Sequence, residues 1–131
     1  MNLNKFIGRN QLSVMESACK GDEGEYFKTM IEGLQSKIAA MPKTFETDDQ
    51  GDEAMATLHY FKGGSDWYII EKDMADDQIQ AYGFACLNED AENSELGYIN
   101  IEELISFGVE LDLHYTPEKI RDIKARFDRR P

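Results

Sequence analysis

Apolar residues recur at helical spacing in the first forty positions and at alternate positions after that. Residues 10–20, NQLSVMESACK, set Leu12, Met15 and Cys19 at i, i+3 and i+7, which predicts a short amphipathic helix ended by Gly21. Asp22, with Glu25 three positions on, reads as the N-cap of a second helix in capping-box fashion. Phe27, Met30, Ile31, Leu34, Ile38 and Met41 form its apolar stripe, and it must stop before Pro42, which forces the preceding residue out of the α region. A stripe of this kind is core rather than a binding groove.

From residue 58 the period changes. LHYFKGGSDWYIIEKD, residues 58–73, reads as two strands joined by Gly63-Gly64, a pair that can take positive φ without steric cost. IQAYGFACL, residues 79–87, carries apolar residues on both alternating sets, so it is expected to be a central strand covered on both faces. Leu96 to Asn100 is a fourth strand leading into a short helix, with Asn100 as its cap and Glu102 and Glu103 in the first turn, where the dipole favours them. VELDLHY, residues 109–115, alternates again with Val109, Leu111 and Leu113 on one side. Thr116-Pro117-Glu118 is expected to open a last helix over 116–128, its cap followed by proline at the first helical position. There Ile120, Ile123 and Phe127 turn inward, while Arg121, Lys124, Arg126, Arg129 and Arg130 stay in water. With no alternating βαβ rhythm, the order predicts one α+β domain over 1–131, with helices against one face of an antiparallel sheet of about four to five strands. Its parts are an N-terminal helical pair within 1–42, a sheet part over 55–114 and the C-terminal helix.

Charge changes this picture more than composition does. An apolar share of 41% with 11% aromatics supports a real core in 131 residues. The net charge is −12, and it is uneven. Residues 1–42 are neutral, residues 43–114 hold eighteen acids against Lys43, Lys62 and Lys72, and residues 115–131 carry a balance of +3. An acidic body with a basic final helix repels nucleic acid and anionic membrane and is steered toward basic surfaces. Cys19 and Cys86 lie far apart in apolar contexts, which favours reduced thiols. The opening MNLNKFIGRNQLS has no apolar signal core and no run has the length of a membrane span, so a cytoplasmic protein is expected.

Motifs for chemistry are missing. The loop 44–54 is rich in acids, but Asp48, Asp49, Asp52 and Glu53 do not fall in the calcium-loop register and no glutamate closes it. His59, His114, Cys19 and Cys86 show no metal-ligand spacing, although His59 and His114, both read as strand residues, could meet across strands. Gly63-Gly64-Ser65 lacks the lysine and helix of a phosphate loop, and no Ser or Cys sits in a nucleophile elbow. No catalytic residue, metal site or cofactor is therefore expected. One enzymatic reading survives: Glu71 and Asp73 share one face of the second strand and Asp66 could approach from its start, with the aromatic set Tyr60, Trp67, Tyr68, Tyr82 and Tyr98 nearby. Asp66, Trp67, Tyr68 and Glu71 would form such a small-ligand site.

HYFKGGSDWYIIEKD, QAYGFACL, ELGYINIEELI and ELDLHYTP, within residues 55–117, resemble a small bacterial domain-of-unknown-function family. Its members are carried on plasmids, phages and integrative elements, often near antirestriction genes. The resemblance implies a mobile-element accessory protein and transfers no catalytic residue. Together with the charge it points to an inhibitor of a basic host defence protein that binds DNA or RNA, of antirestriction or anti-CRISPR type, with acids standing in for DNA phosphates. The acids expected to meet the partner are Asp48, Asp49, Asp52, Glu53, Asp73, Asp76, Asp77, Glu89, Asp90 and Glu92. An antitoxin or immunity protein would use the same electrostatics against a basic nuclease, and direct nucleic-acid binding is not expected.

Overall fold

The computed structural model describes residues 3–75 and 77–128. It is an α+β domain with two antiparallel sheets. A five-stranded sheet runs in the order β5(Glu95–Ile99), β4(Ala81–Cys86), β3(Ser65–Glu71), β2(Leu58–Lys62), β6(Glu110–Leu111). A two-stranded ribbon pairs β1(Met55–Ala56) with β7(Glu118–Lys119). Among the described residues four α-helices surround them: α1(Arg9–Ala18), α2(Gly24–Ala40), α3(Ile101–Ser106) and α4(Ile120–Asp128).

The hairpin β2–β3 forms as its sequence predicts, with Lys62 opposite Ser65 and His59 opposite Tyr68. Of the two turn glycines only Gly63 takes positive φ, at 57°. Gly64 instead gives room to the loop after β4: a Cβ there would stand 2.9 Å from Glu89 Cγ, and its carbonyl accepts from Glu89 N at 2.8 Å. β4 lies between β3 and β5, the central position its two apolar sets demand.

The helices do not share one face of the sheet, contrary to the sequence reading. On one face Leu58, Tyr60, Ile69 and Ile99 pack with Met15, Leu34, Ile38, Ile101 and Leu104 from α1, α2 and α3. On the other, Tyr68, Ile70, Phe84 and Cys86 pack with Ile120, Ile123 and Phe127 of α4 and with Ala54 and Ala56. Alternation along β2, β3 and β4 sends apolar residues both ways, so each face needs its own cover.

Three local expectations are corrected. Asp22 does not cap α2: the N-cap is Glu23, without a side-chain bond to the helix, and Gly24 packs so tightly that a Cβ would lie 2.3 Å from the Cys19 carbonyl oxygen. The last helix begins at Ile120 rather than 116, because Glu118 and Lys119 pair with Ala56 and Met55, and Ile120 N bonds Ala54 O at 3.0 Å. His114 lies exposed in a turn after β6, not in a strand. Asn100 caps α3 as expected, its Oδ1 accepting from Glu103 N at 3.0 Å. The two cysteines form no disulfide, Cys86 being buried and Cys19 half-buried. Among the described residues no helix is long and apolar enough to cross a membrane. Arg129 and Arg130 lie outside the described residues.

Candidate functional site

The strand register brings His59 between two carboxylates. With His59 opposite Tyr68 and Phe61 opposite Asp66, His59 and Asp66 become diagonal neighbours on the face toward α4. Asp66 Oδ1 lies 2.8 Å from His59 Nε2, and Asp112, just after β6, places Oδ2 3.1 Å from Nδ1. The ring stacks on Tyr68 at 4.6 Å between centroids and 10° between planes, with Tyr115 at 5.4 Å. Burial opposes charging of the imidazole, but the bonds to Asp66 and Asp112 outweigh it and raise its pKa. Arg126 extends the cluster: it forks onto Glu118, reaches the Tyr68 hydroxyl at 3.4 Å and holds its guanidinium 5.9 Å from that ring's centroid. The Arg126 bond, with Tyr115 beside it, lowers the Glu118 pKa.

A histidine-carboxylate dyad works as a base only if its second nitrogen faces a nucleophile or substrate. Here Asp66 occupies that nitrogen, so the arrangement clamps β2, β3 and the segment after β6 together rather than doing chemistry. The partners of His59 are thus Asp66 and Asp112, not the His114 that the sequence admits as a cross-strand neighbour. Counting registers outward from the Gly63-Gly64 turn would have found Asp66, whereas nothing local in the sequence signals Asp112.

The small-ligand set is not assembled. Trp67 packs on the α2 face while Asp66 and Tyr68 point to the α4 face, and Asp66 is spent on His59. Glu71 lies five residues further on, roughly 16 Å along the strand, past an irregularity in the β3–β4 register. It is 2% exposed and accepts from Phe45 N at 2.9 Å, Thr47 N at 2.8 Å and Thr47 Oγ1 at 2.5 Å. Asp73 closes the turn after β3 by accepting from Ala75 N at 3.0 Å and Gln80 N at 2.9 Å. Desolvation opposes its ionisation, but these backbone bonds prevail and lower its pKa.

The acids expected to meet a partner fall into distinct groups. Asp52 pairs with Lys124 at 2.8 Å, and Glu53 with Lys119 and Arg121, both at 2.9 Å. The Lys119 bond leads in lowering the Glu53 pKa. The basic end of the chain therefore neutralises this part of the acidic loop. Asp73 and Asp77 serve turn backbone, Asp77 accepting from Ile79 N at 3.4 Å, and Asp90 accepts from Asn93. Asp48, Asp49, Glu89 and Glu92 are exposed. Asp76 lies outside the described residues.

Of the surface beside β5 the sequence singles out Tyr82 and Tyr98 but not Phe45. Phe45 has φ of 78°, a left-handed value costly for a bulky side chain, and it is held there by the Glu71 carboxylate. This turns its ring outward, 55% exposed, edge-on to Tyr98, which is 59% exposed, with centroids 6.5 Å apart. Tyr82, directly opposite Tyr98 in the ladder, adds a second edge contact at 5.9 Å. Glu95 at the start of β5 and Glu102 and Glu103 at the start of α3 are exposed at the two ends of this strand. The site is thus an acidic strand edge bearing exposed aromatic rings. No family model matches the chain, and neither does any curated protein or solved structure.

Proposed function

We propose that this protein is an acidic protein-interaction module that occupies the nucleic-acid-binding surface of a basic host defence protein, of antirestriction or anti-CRISPR type. The observation that carries this reading is how the charge is distributed over the fold. From Asp73 to Glu118 the chain contains no lysine or arginine, and this span supplies β4, β5, α3 and β6. Its exposed acids, Glu89, Asp90, Glu92, Glu95, Glu102, Glu103 and Glu110, form none of the described salt bridges, while Asp52, Glu53 and Glu118 are paired with residues 119–126. The acids near the C-terminal helix are therefore neutralised within the fold, while those of the loop before β5, of β5 and of the start of α3 have no ion-pair partner among the described residues and carry their charge to solvent. Such a field steers a basic partner in and excludes phosphate from the same surface. The family resemblance supplies a compatible setting, an accessory protein of a mobile element in the bacterial cytoplasm.

The test is a cleavage assay with purified restriction nucleases and CRISPR effectors. Inhibition should be relieved by excess duplex DNA and should weaken steeply as salt rises. Replacing Glu89, Glu92, Glu95 and Glu102 by lysine should abolish it, whereas Asp52→Asn should leave it nearly intact. Inhibition that survives the lysine replacements, or no inhibition across basic DNA-binding enzymes, overturns the reading.

A further inference from the structure

The two edges of the five-stranded sheet are treated differently. At the β6 edge the side-chain amide of Gln11 in α1 bonds both backbone groups of Leu111: Oε1 accepts from Leu111 N at 3.0 Å and Nε2 donates to Leu111 O at 2.7 Å. The amide acts as one unit of a missing strand and closes that edge. At the other edge, β5 pairs with β4 on its inner side from Glu95 to Ile99. Among the described residues none of its backbone groups bonds to any other element. In an antiparallel ladder every second residue of an edge strand turns its N–H and C=O outward, so β5 offers a row of open donors and acceptors. Gly97 at its centre has nothing within 4 Å of where a Cβ would sit, leaving room for close approach of another backbone.

We propose that β5 is the docking edge for an extended, arginine-containing segment of the partner, which adds as a sixth strand beside Glu95–Ile99. This deepens the function proposed above and rests on it. The chemistry of the occupant follows from what flanks the edge. On the α4 face an incoming side chain meets Tyr98 and Phe45, whose exposed rings suit a guanidinium. On the opposite face Glu95 stands at the start of the strand, and Glu102 and Glu103 follow its end. None of the described salt bridges engages Glu95, Glu102 or Glu103. An acidic segment would be repelled at both ends, and an uncharged one would leave the carboxylates desolvated without a partner.

The experiment uses the full chain and a capped, fluorescent peptide with two adjacent arginines among valines, so that one guanidinium reaches each face of the added strand. Expected is binding that slows amide hydrogen exchange within Leu96–Ile99 at least tenfold. Tyr98→Ala should weaken the peptide about tenfold, with Phe45→Ala less severe. A peptide of the same charge, N-methylated at every second residue in the register that faces β5, should lose binding, and the complementary N-methylated peptide should keep it. Equal binding of both methylated peptides, or indifference to Tyr98→Ala, overturns the strand-edge proposal and leaves binding by charge alone. Normal inhibition of a defence nuclease by the Tyr98→Ala protein overturns it as well. Absence of binding to the peptide and to every basic nuclease overturns both the edge and the acidic-module reading. Because both aromatic side chains are solvent-exposed, circular dichroism of the variants separates lost binding from lost fold.

Discussion

His59 carries the clearest pH dependence at the scale of single residues. As imidazolium it donates to Asp66 through Nε2 and to Asp112 through Nδ1, whereas the neutral ring leaves one carboxylate facing a lone pair. Its folded pKa is raised, burial being outweighed by the two carboxylate bonds. The stabilisation is therefore fully present below the ordinary value of 6.5 and is lost as pH climbs through the raised folded value. His59→Gln should lower the unfolding free energy by about 1.5–3 kcal/mol near pH 6, and this gap should narrow at alkaline pH. Urea unfolding at a series of pH values checks it; a gap constant with pH would mean that packing on Tyr68, not charge, holds the ring. Glu71 shows the opposite use of a carboxylate: buried on β3, it gathers two backbone N–H groups and a threonine hydroxyl and fixes Phe45 in its outward, left-handed conformation. Neither role was legible from residue type. Asp66 and Glu71 look alike on one strand, and only their registers and the loop folded back from residues 44–47 distinguish them.

The elements themselves were largely readable, because each is specified by its own apolar period. The α2 stripe, the β2–β3 hairpin, central β4 and the Asn100 cap follow from spacing within a dozen residues. The errors arose where a distant partner overrode a local signal. Thr116-Pro117 is a sound helix opening, but the strand bonds of Glu118 and Lys119 to β1, far earlier in the chain, postpone the helix to Ile120. Likewise the face that α4 covers is set by β2–β4 alternation combined with helices already packed on the other side, which no single stretch reveals. α4 allows a test of what docks it. Phe127 is 2% exposed among Phe84, Tyr68 and the other α4-face residues, whereas Lys124 and Arg121 make exposed ion pairs with Asp52 and Glu53. Phe127→Ala should cost about 3–5 kcal/mol, and Lys124→Ala at most about 1 kcal/mol. Thermal melts of the two variants decide it. A loss on Lys124→Ala comparable to that on Phe127→Ala would make the ion pairs, rather than the apolar face, the anchor of the helix.

At the scale of the whole molecule two electrostatic terms oppose each other, and salt separates them. The ion pairs between residues 52–53 and 119–124 stabilise, and salt weakens them; mutual repulsion within a chain of net charge −12 destabilises, and salt relieves it. The pairs are few and partly or fully exposed, so each contributes little. The repulsion is concentrated in the 46 residues from Asp73 to Glu118, which contain no lysine or arginine and in which only Asp112 and Glu118 have an ion-pair partner among the described residues. Repulsion should dominate. The melting temperature should rise by several degrees between about 10 mM and 0.5 M sodium chloride, while binding of a basic partner weakens over the same range. Divergence of the two trends follows directly from surface acids that have no ion-pair partner among the described residues. If added salt lowers the melting temperature instead, the acids of β5, α3 and the loop before them are compensated within the fold, and the negative field on which the proposed function depends does not exist.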